Sequence, residues 1–364
     1  MDLLNCAAAA AATTRRRISE LVSVTMPNVH DFTGRLCVSG TCLSAPEIAR
    51  SGLDWRGLLA NQPPADTAHP CGVSSSTQQC RPLSMEPWQT CDPDRKPKPF
   101  VEPCALPDEP RQTCINGWGC PRGSTCSGSI GEETFALMWL LGRGNASLYQ
   151  RPHGSQPRRN TRLLPRGGTF LEIGANNGDA SNTRFLEKCL AWRGLLIEGH
   201  PKNLRWLNKT RPNMLRLESA VCERHGTTNF SKRGGATSGI QSLMSRGFQS
   251  RWRQTPGPNN TIEVKCGPLG DWMGLLRMHE VDYFSLDVEG AELLVLETLD
   301  WPRLGVGIMI VECHVNGCIS AQDHKVKNLL ASKGLRRVIT LRTRHDIWNA
   351  AFVNDSWVGT YSRP

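Results

Sequence analysis

Residues 169–179 read TFLEIGANNGD, the stretch on which the fold turns. A short apolar run, Phe170, Leu171 and Ile173, ends in Gly174-x-Asn176-x-Gly178-Asp179. Helical spacing follows, with Phe185, Leu186, Cys189 and Leu190 on one stripe. Strand, glycine turn and helix in that order open a nucleotide-binding α/β unit. The glycines let the backbone pass close to a ligand, and the helix start offers free N–H groups.

From residue 168 onward strands and helices alternate. Strands are expected over 169–174, 194–198, 214–221, 281–288 and 307–312. Helices are expected from Pro201, where a missing N–H costs nothing, and over 271–278, 291–299 and 325–333, the last stopped by Gly334. The Pro201 helix should turn Leu204, Leu207 and Trp206 inward. Trp192, Trp272 and Trp301 also lie beside apolar stripes and read as core. Short extra strands over 227–231 and 261–266 flank a Gly-, Ser- and Pro-rich excursion at 234–260. Strands over 336–341 and 350–354, joined without a helix, should include an antiparallel one. Such alternation means a mostly parallel sheet with helices on both faces.

The 364 residues allow this domain and an extra segment. Residues 1–130 are rich in Pro, Ser, Thr and Cys with little periodicity, and read as irregular or disulfide-held. Residues 131–167 hold one short helix (EETFALMWLL, 132–141) and a linker, and the main domain runs over 168–358. Ten of the fifteen cysteines, among them Cys37, Cys42, Cys114, Cys120 and Cys126, fall in the first part. Neither C-x₂-C pairs nor a Cys/His box occurs, so no metal is assigned. The gaps suit a disulfide module and an oxidising compartment. Later in the chain, Cys222 with Cys266 and Cys313 with Cys318 are candidate pairs. N-x-S/T acceptors at Asn145, Asn208, Asn229, Asn259 and Asn354 add weak support for a secretory or extracellular location. The start, MDLLNCAAAAAATTRRR, resembles an Arg-rich transit peptide about as well as a signal peptide, which leaves an organelle as the alternative.

No run of about 18 apolar residues exists, so no transmembrane helix is expected. The net charge of +10 is spread widely. Its densest arginines, Arg158, Arg159, Arg162 and Arg166, sit among Gly, Pro and Ser without aromatic residues to stack bases. That patch reads as linker, and no nucleic-acid partner is expected.

In an open α/β sheet the ligand lies outside the carboxyl ends of the strands. Acids fall there at Glu172, at Glu198 and at Asp287 with Glu289. Glu198 stands 20 residues past Gly178, where a carboxylate can accept both hydroxyls of a ribose. NAD and S-adenosylmethionine both carry that ribose. The first loop separates them: Gly174-x-Asn176-x-Gly178 is not G-x-G-x-x-G, and Asp179 would repel a pyrophosphate but suit an aminoacyl ammonium. The methyl donor is the better fit.

Three motifs together, Gly174-Ala175-Asn176-Asn177-Gly178, Leu195-Leu196-Ile197-Glu198 with Pro201, and Leu286-Asp287-Val288-Glu289-Gly290-Ala291-Glu292, resemble the FkbM-type methyltransferase domain over roughly residues 168–355. Trp192-x-Gly194, Cys266-x-Pro268-Leu269 and Leu299-Asp300-Trp301 resemble a Star-like, secretory-pathway branch of that family. The resemblance implies a Rossmann-like class I fold, a mostly parallel seven-stranded sheet with an antiparallel strand, behind the Cys-rich segment. It implies S-adenosylmethionine as cofactor and O-methylation of a hydroxyl-bearing acceptor, a glycan or small molecule. Carried over residue by residue, the donor site is Glu172, Gly174, Ala175, Asn176, Gly178, Asp179, Glu198 and Asp287. The acceptor side is Asp287 and Glu289, with His200 and then His314 as further bases after strand ends. Glu289 reads equally well as a cap of the following helix. Ser285 replaces a lysine common in the family, and Gly199-His200 separates Glu198 from Pro201. The alternative reading is an inactive methyltransferase fold that serves as an interaction or trafficking protein of the secretory pathway.

Overall fold

The structure, a computed structural model, describes residues 28–60, 102–103, 167–178, 181–184, 186–187, 191–313, 318–342 and 348–360. The expected helix at 132–141, the arginines of the linker, Asp179, Phe185, Cys189, Leu190 and His314 lie outside the described residues.

Strands β1 (Arg35–Val38) and β2 (Thr41–Leu43) form a hairpin, followed by helices α1 (Ala45–Ser51) and α2 (Trp55–Leu59). Ser44 and Glu47 build a capping box at the start of α1, and Gly52 ends it in the left-handed conformation. A two-residue strand, β3, covers Glu102–Pro103. The main run then begins with β4 (Thr169–Ile173), β5 (Arg193–Glu198), α3 (Pro201–Thr210), β6 (Leu215–Glu218), β7 (Ala220–Val221) and β8 (Gly226–Ser231). It continues through α4 (Arg246–Arg251), β9 (Thr261–Gly267), α5 (Leu269–Leu275), β10 (Glu280–Leu286), α6 (Glu292–Glu297) and β11 (Gly305–Cys313). Helix α7 (Ala321–Ser332), β12 (Arg336–Arg342) and β13 (Trp348–Val353) close it.

The large sheet has the order β2-β1-β6-β5-β4-β10-β11-β13-β12-β3. Its central seven strands, ranked along the chain, run 3-2-1-4-5-7-6. Strands β6, β5, β4, β10 and β11 pair in parallel, and β13 lies antiparallel between β11 and β12. This is the seven-stranded Rossmann-like class I sheet that the sequence leads one to expect. The order in which strands are added reverses between the parallel strands β4 and β10, so their carboxyl ends open the crevice of the switch point. Every residue of β4 is buried, as both faces are covered and the run need not alternate.

Two features differ from expectation. Residues 28–60 are regular and share the core of the main domain: Leu36, Ala45, Ile48, Trp55 and Leu59 pack in one cluster with Leu195, Leu217, Trp272 and Phe284. The hairpin adds to the edge of β6 antiparallel, with Leu36 opposite Leu217. A boundary at residue 168 therefore separates segments that form one core. Trp206 is 54 % exposed, while Leu204 and Leu207 of the same helix are buried. At 100° per residue it projects about 160° from Leu204, away from the sheet. Trp192 and Trp272 are fully buried, and Trp301 packs against the core.

A second, three-stranded sheet, β7-β9-β8, carries the excursion at 234–260. Cys222 and Cys266 are disulfide-bonded beside it, as are Cys313 with Cys318 after β11, and Cys37 with Cys42 across the hairpin. At the amino edge of the sheet, buried Asp282 accepts from Thr169 N (2.8 Å), Trp357 Nε1 (2.9 Å) and Thr360 N (2.7 Å), which ties β10 to both ends of the domain. No helix among the described residues is long and apolar enough to cross a membrane.

Candidate active site

The glycine turn after β4 is held against the end of β10. Gly174 has φ +83°, and a Cβ there would lie 1.8 Å from the Asp287 carbonyl oxygen, so no other residue fits without moving the backbone. Asn176 is left-handed too, at φ 48°, and Ala175 is fully buried. Thr210 Oγ1 donates to Asn177 O (2.7 Å), fixing the far side of the turn to α3. Gly178 is buried against that same corner.

Glu172 is 2 % exposed and already engaged: it accepts from Ser181 Oγ (2.5 Å), Asn182 N (2.8 Å) and Thr183 Oγ1 (2.5 Å). Arg211, fully buried, backs this loop by donating to Ser181 Oγ (2.6 Å), Thr183 Oγ1 (3.1 Å) and the Glu187 carboxylate. Glu172 thus shapes the glycine turn from beneath. Arg211 and Glu187 form part of this scaffold without any local motif, since they meet across 24 residues.

Glu198 ends β5 and is 4 % exposed. His200 N donates to it at 2.7 Å. The backbones of Asn176 and Gly199 and the side chain of Asn203 also bond it, but burial outweighs these donors and pushes the carboxyl up to about 7. The acid predicted to take the ribose therefore faces the glycine turn through Asn176. His200 is spent otherwise: Nδ1 accepts from Lys202 N (3.1 Å) as the N-cap of α3, and Nε2 lies 3.2 Å from Lys232 O. With both ring nitrogens occupied and burial lowering its proton affinity, it has no nitrogen left for an acceptor hydroxyl.

At the end of β10, Glu289 is 4 % exposed and left-handed at φ 58°, followed by Gly290 at φ 109°. A non-glycine residue in that region stores strain. Glu289 does not cap the next helix. Glu292, the first residue of that helix, reaches back into the loop before it, accepting from Gly290 N (3.1 Å) and Val288 N (3.4 Å). One oxygen of Glu289, Oε2, is buried without a hydrogen-bond partner. Burial first, then the charges of Asp287 and Glu292, holds its carboxyl well above the usual range. Glu312, at the end of β11, joins this cluster: Asp287, Glu289 and Glu312 offer oxygens within 4.8 Å of one another. Its place in the sequence, an acid at the end of the fifth strand, was the available signal. Beneath them, buried Ser285 takes a hydrogen bond from Asn182 Nδ2 (2.9 Å).

The excursion lies across this edge. A Cβ on Gly290 would come 2.4 Å from Leu243 O, one on Gly239 3.0 Å from Glu289 Cβ, and one on Gly234 2.8 Å from the His200 ring. A cleft of about 600 Å³ lined by Trp55, Arg56, His279 and Trp357 lies at the opposite, amino edge and reaches neither Glu198 nor Asp287.

With this geometry in place, residues 172–336 match the model of the methyltransferase FkbM domain. This stretch is similar to the FkbM-type methyltransferase domain. Among curated proteins, none matches the chain. A solved FkbM methyltransferase from Methylobacillus flagellatus KT is 12 % identical, with 60 % of this chain and 53 % of that one covered and a TM-score of 0.33. Fibrillarin from Aeropyrum pernix, solved with natively bound S-adenosyl-L-methionine, is 13 % identical over 52 % of this chain and 67 % of that one, with a TM-score of 0.29. At such likeness the fold is read from the strand order, not from these relatives. The match begins within β4 and ends at the first residue of β12, so the hairpin and helices of 28–60 lie outside it.

Proposed function

We propose that the protein transfers a methyl group from S-adenosylmethionine to a hydroxyl oxygen. The observation that carries this reading is Glu198: a buried carboxyl at the end of the second strand, bonded to the backbone of the glycine turn. A ribose diol donates two hydrogen bonds to such an acid. Gly174, Ala175, Asn176 and Gly178 give the nucleoside a close backbone wall, and Asp287 closes it from β10. The sulfonium donor would supply an activated methyl group, whose carbon the acceptor oxygen attacks in line with the departing sulfur. Much of the rate then comes from alignment.

Asp287, half-buried, and Glu289 stand where the acceptor would meet the methyl group. An ionised carboxylate with raised proton affinity is a competent general base for a hydroxyl. The excursion packs over Glu289 and Gly290, so it would wall the acceptor side, and we read the acceptor as a glycan or small molecule. Three disulfides among the described residues support an oxidising compartment.

A second reading keeps the fold as an interaction module. It draws on Ser285 in place of a lysine and on Glu172 being fully engaged by the protein itself. The two separate in a methyl-labelled transfer assay against extracted glycans, lipids and proteins. We expect label in a hydroxyl-bearing product, and Asp287→Asn and Glu289→Gln to lower turnover about 10²-fold or more while donor binding persists. Full turnover in both variants removes the acid–base role, and no transfer with no donor binding favours the interaction module.

A further inference from the structure

We propose that Asp287, Glu289 and Glu312 hold a hard divalent cation, Mg²⁺ or Mn²⁺, at the carboxyl edge of the sheet. Their three oxygens lie within 4.8 Å of one another. Two oxygens on one Mg²⁺, each at about 2.0–2.1 Å, lie up to about 4.2 Å apart, a spacing inside that limit. Glu289 and Glu312 are 4 % and 8 % exposed, and Oε2 of each is buried with no hydrogen-bond partner. Unmet acceptors at that depth are costly unless a proton or a cation meets them. Glu312 shares a hydrogen bond with Asp287, and no basic side chain is among the charged groups that act on it.

The donor set selects the metal class. All three ligands are carboxylates, which suit Mg²⁺, Mn²⁺ or Ca²⁺ over zinc. Cys313, next to Glu312, is tied to Cys318 in a disulfide and offers no thiolate. Glu292 is not a ligand candidate, because Gly290 N, Val288 N and Gln322 Nε2 already occupy its oxygens. The half-buried Asp287 leaves one side of the cluster open for entry and for a further ligand.

The consequence for chemistry rests on the methyl-transfer reading above. With the cation bound, Asp287 and Glu289 would serve as its ligands in place of the general-base role, and the cation would take the acceptor hydroxyl and lower its pKa. The proton leaves to solvent, and the oxygen forms its bond to the methyl carbon. The carbon–sulfur bond breaks with its electron pair remaining on sulfur, giving S-adenosylhomocysteine.

The test is Mn²⁺ titrated into the full chain, with free Mn²⁺ read by electron paramagnetic resonance. We expect one Mn²⁺ per chain, competed by Mg²⁺, and weakened at least about tenfold in Glu312→Gln. Asp287→Asn, at a half-buried position, is the second variant, and circular dichroism selects whichever is folded. No Mn²⁺ bound by the unaltered chain, or undiminished binding in the folded variants, overturns the proposal and leaves protons as the partners of these oxygens. S-adenosylhomocysteine calorimetry on the same samples separates the two ideas. Mn²⁺ without nucleoside binding keeps the cation site and removes the methyl-donor reading, and the reverse removes the cation alone.

Discussion

Glu198 shows how one side chain couples fold to ligand. Burial raises its carboxyl to about 7 in the folded chain, against an ordinary value of 4.5. The folded state therefore binds more protons than the unfolded one between those values. Its contribution to stability is fully present below about 4.5 and is lost as pH rises through about 7, on the order of 3 kcal/mol in all. Glu198→Gln should flatten that part of the stability-against-pH curve, read by urea unfolding at pH 5 and pH 8. An unchanged slope would mean that the carboxyl is better solvated than its 4 % exposure implies. At this scale the sequence was readable where a residue type is forced. Gly174 was expected to make room for a ligand, whereas the close approach in the structure is to Asp287 O, where no side chain fits. Glu172 and His200 could not be sorted the same way. Their positions at strand ends are right for ligand contact, yet Ser181–Thr183 and Lys232 take up their polar atoms, and no local pattern announces those partners.

At the scale of elements, the apolar runs placed every central strand within a few residues, since strands buried on both faces leave an unbroken signature. Helix faces were harder. Trp206 was expected inside on hydrophobicity alone, but its angular position turns it to solvent. The disulfide between Cys222 and Cys266 fixes β9 to the end of β7, across 44 residues that include the excursion. Its chain-entropy contribution is about 4 kcal/mol for a loop of that length. The Cys222→Ser/Cys266→Ser double variant should lower the guanidinium midpoint and speed amide exchange in β8 and β9 before the large sheet. Uniform exchange across both sheets would show that the excursion needs no such clamp.

For the whole molecule, the folded core is larger than the segment that matches the family. The match covers 172–336, but the core draws on Leu36, Ile48, Trp55 and Leu59 from residues 28–60. Composition concealed this: short elements inside a Cys-, Pro- and Ser-rich stretch give little periodicity, and the hairpin gains its stability from the edge of β6 rather than from itself. Trp55 is 4 % exposed and its N–H donates to Leu276 O at 3.0 Å. Trp55→Ala should cost about 3–5 kcal/mol. It should lower the unfolding midpoint of the entire domain, followed by near-ultraviolet circular dichroism in urea. Unfolding of residues 28–60 alone, with the rest unmoved, would make that segment an accessory layer. The cysteine pattern pointed to an oxidising compartment and left the acceptor unread, because the wall proposed to meet it is the weakly patterned excursion.

The most direct measurement is calorimetry of S-adenosylhomocysteine with the unaltered chain and with Glu198→Gln at pH 6 and pH 8. The account predicts one site per chain, tighter at pH 8 where Glu198 is ionised, and at least tenfold weaker and nearly pH-independent in the variant. Absent binding by the unaltered chain, or equal affinity in both proteins at both pH values, would contradict it.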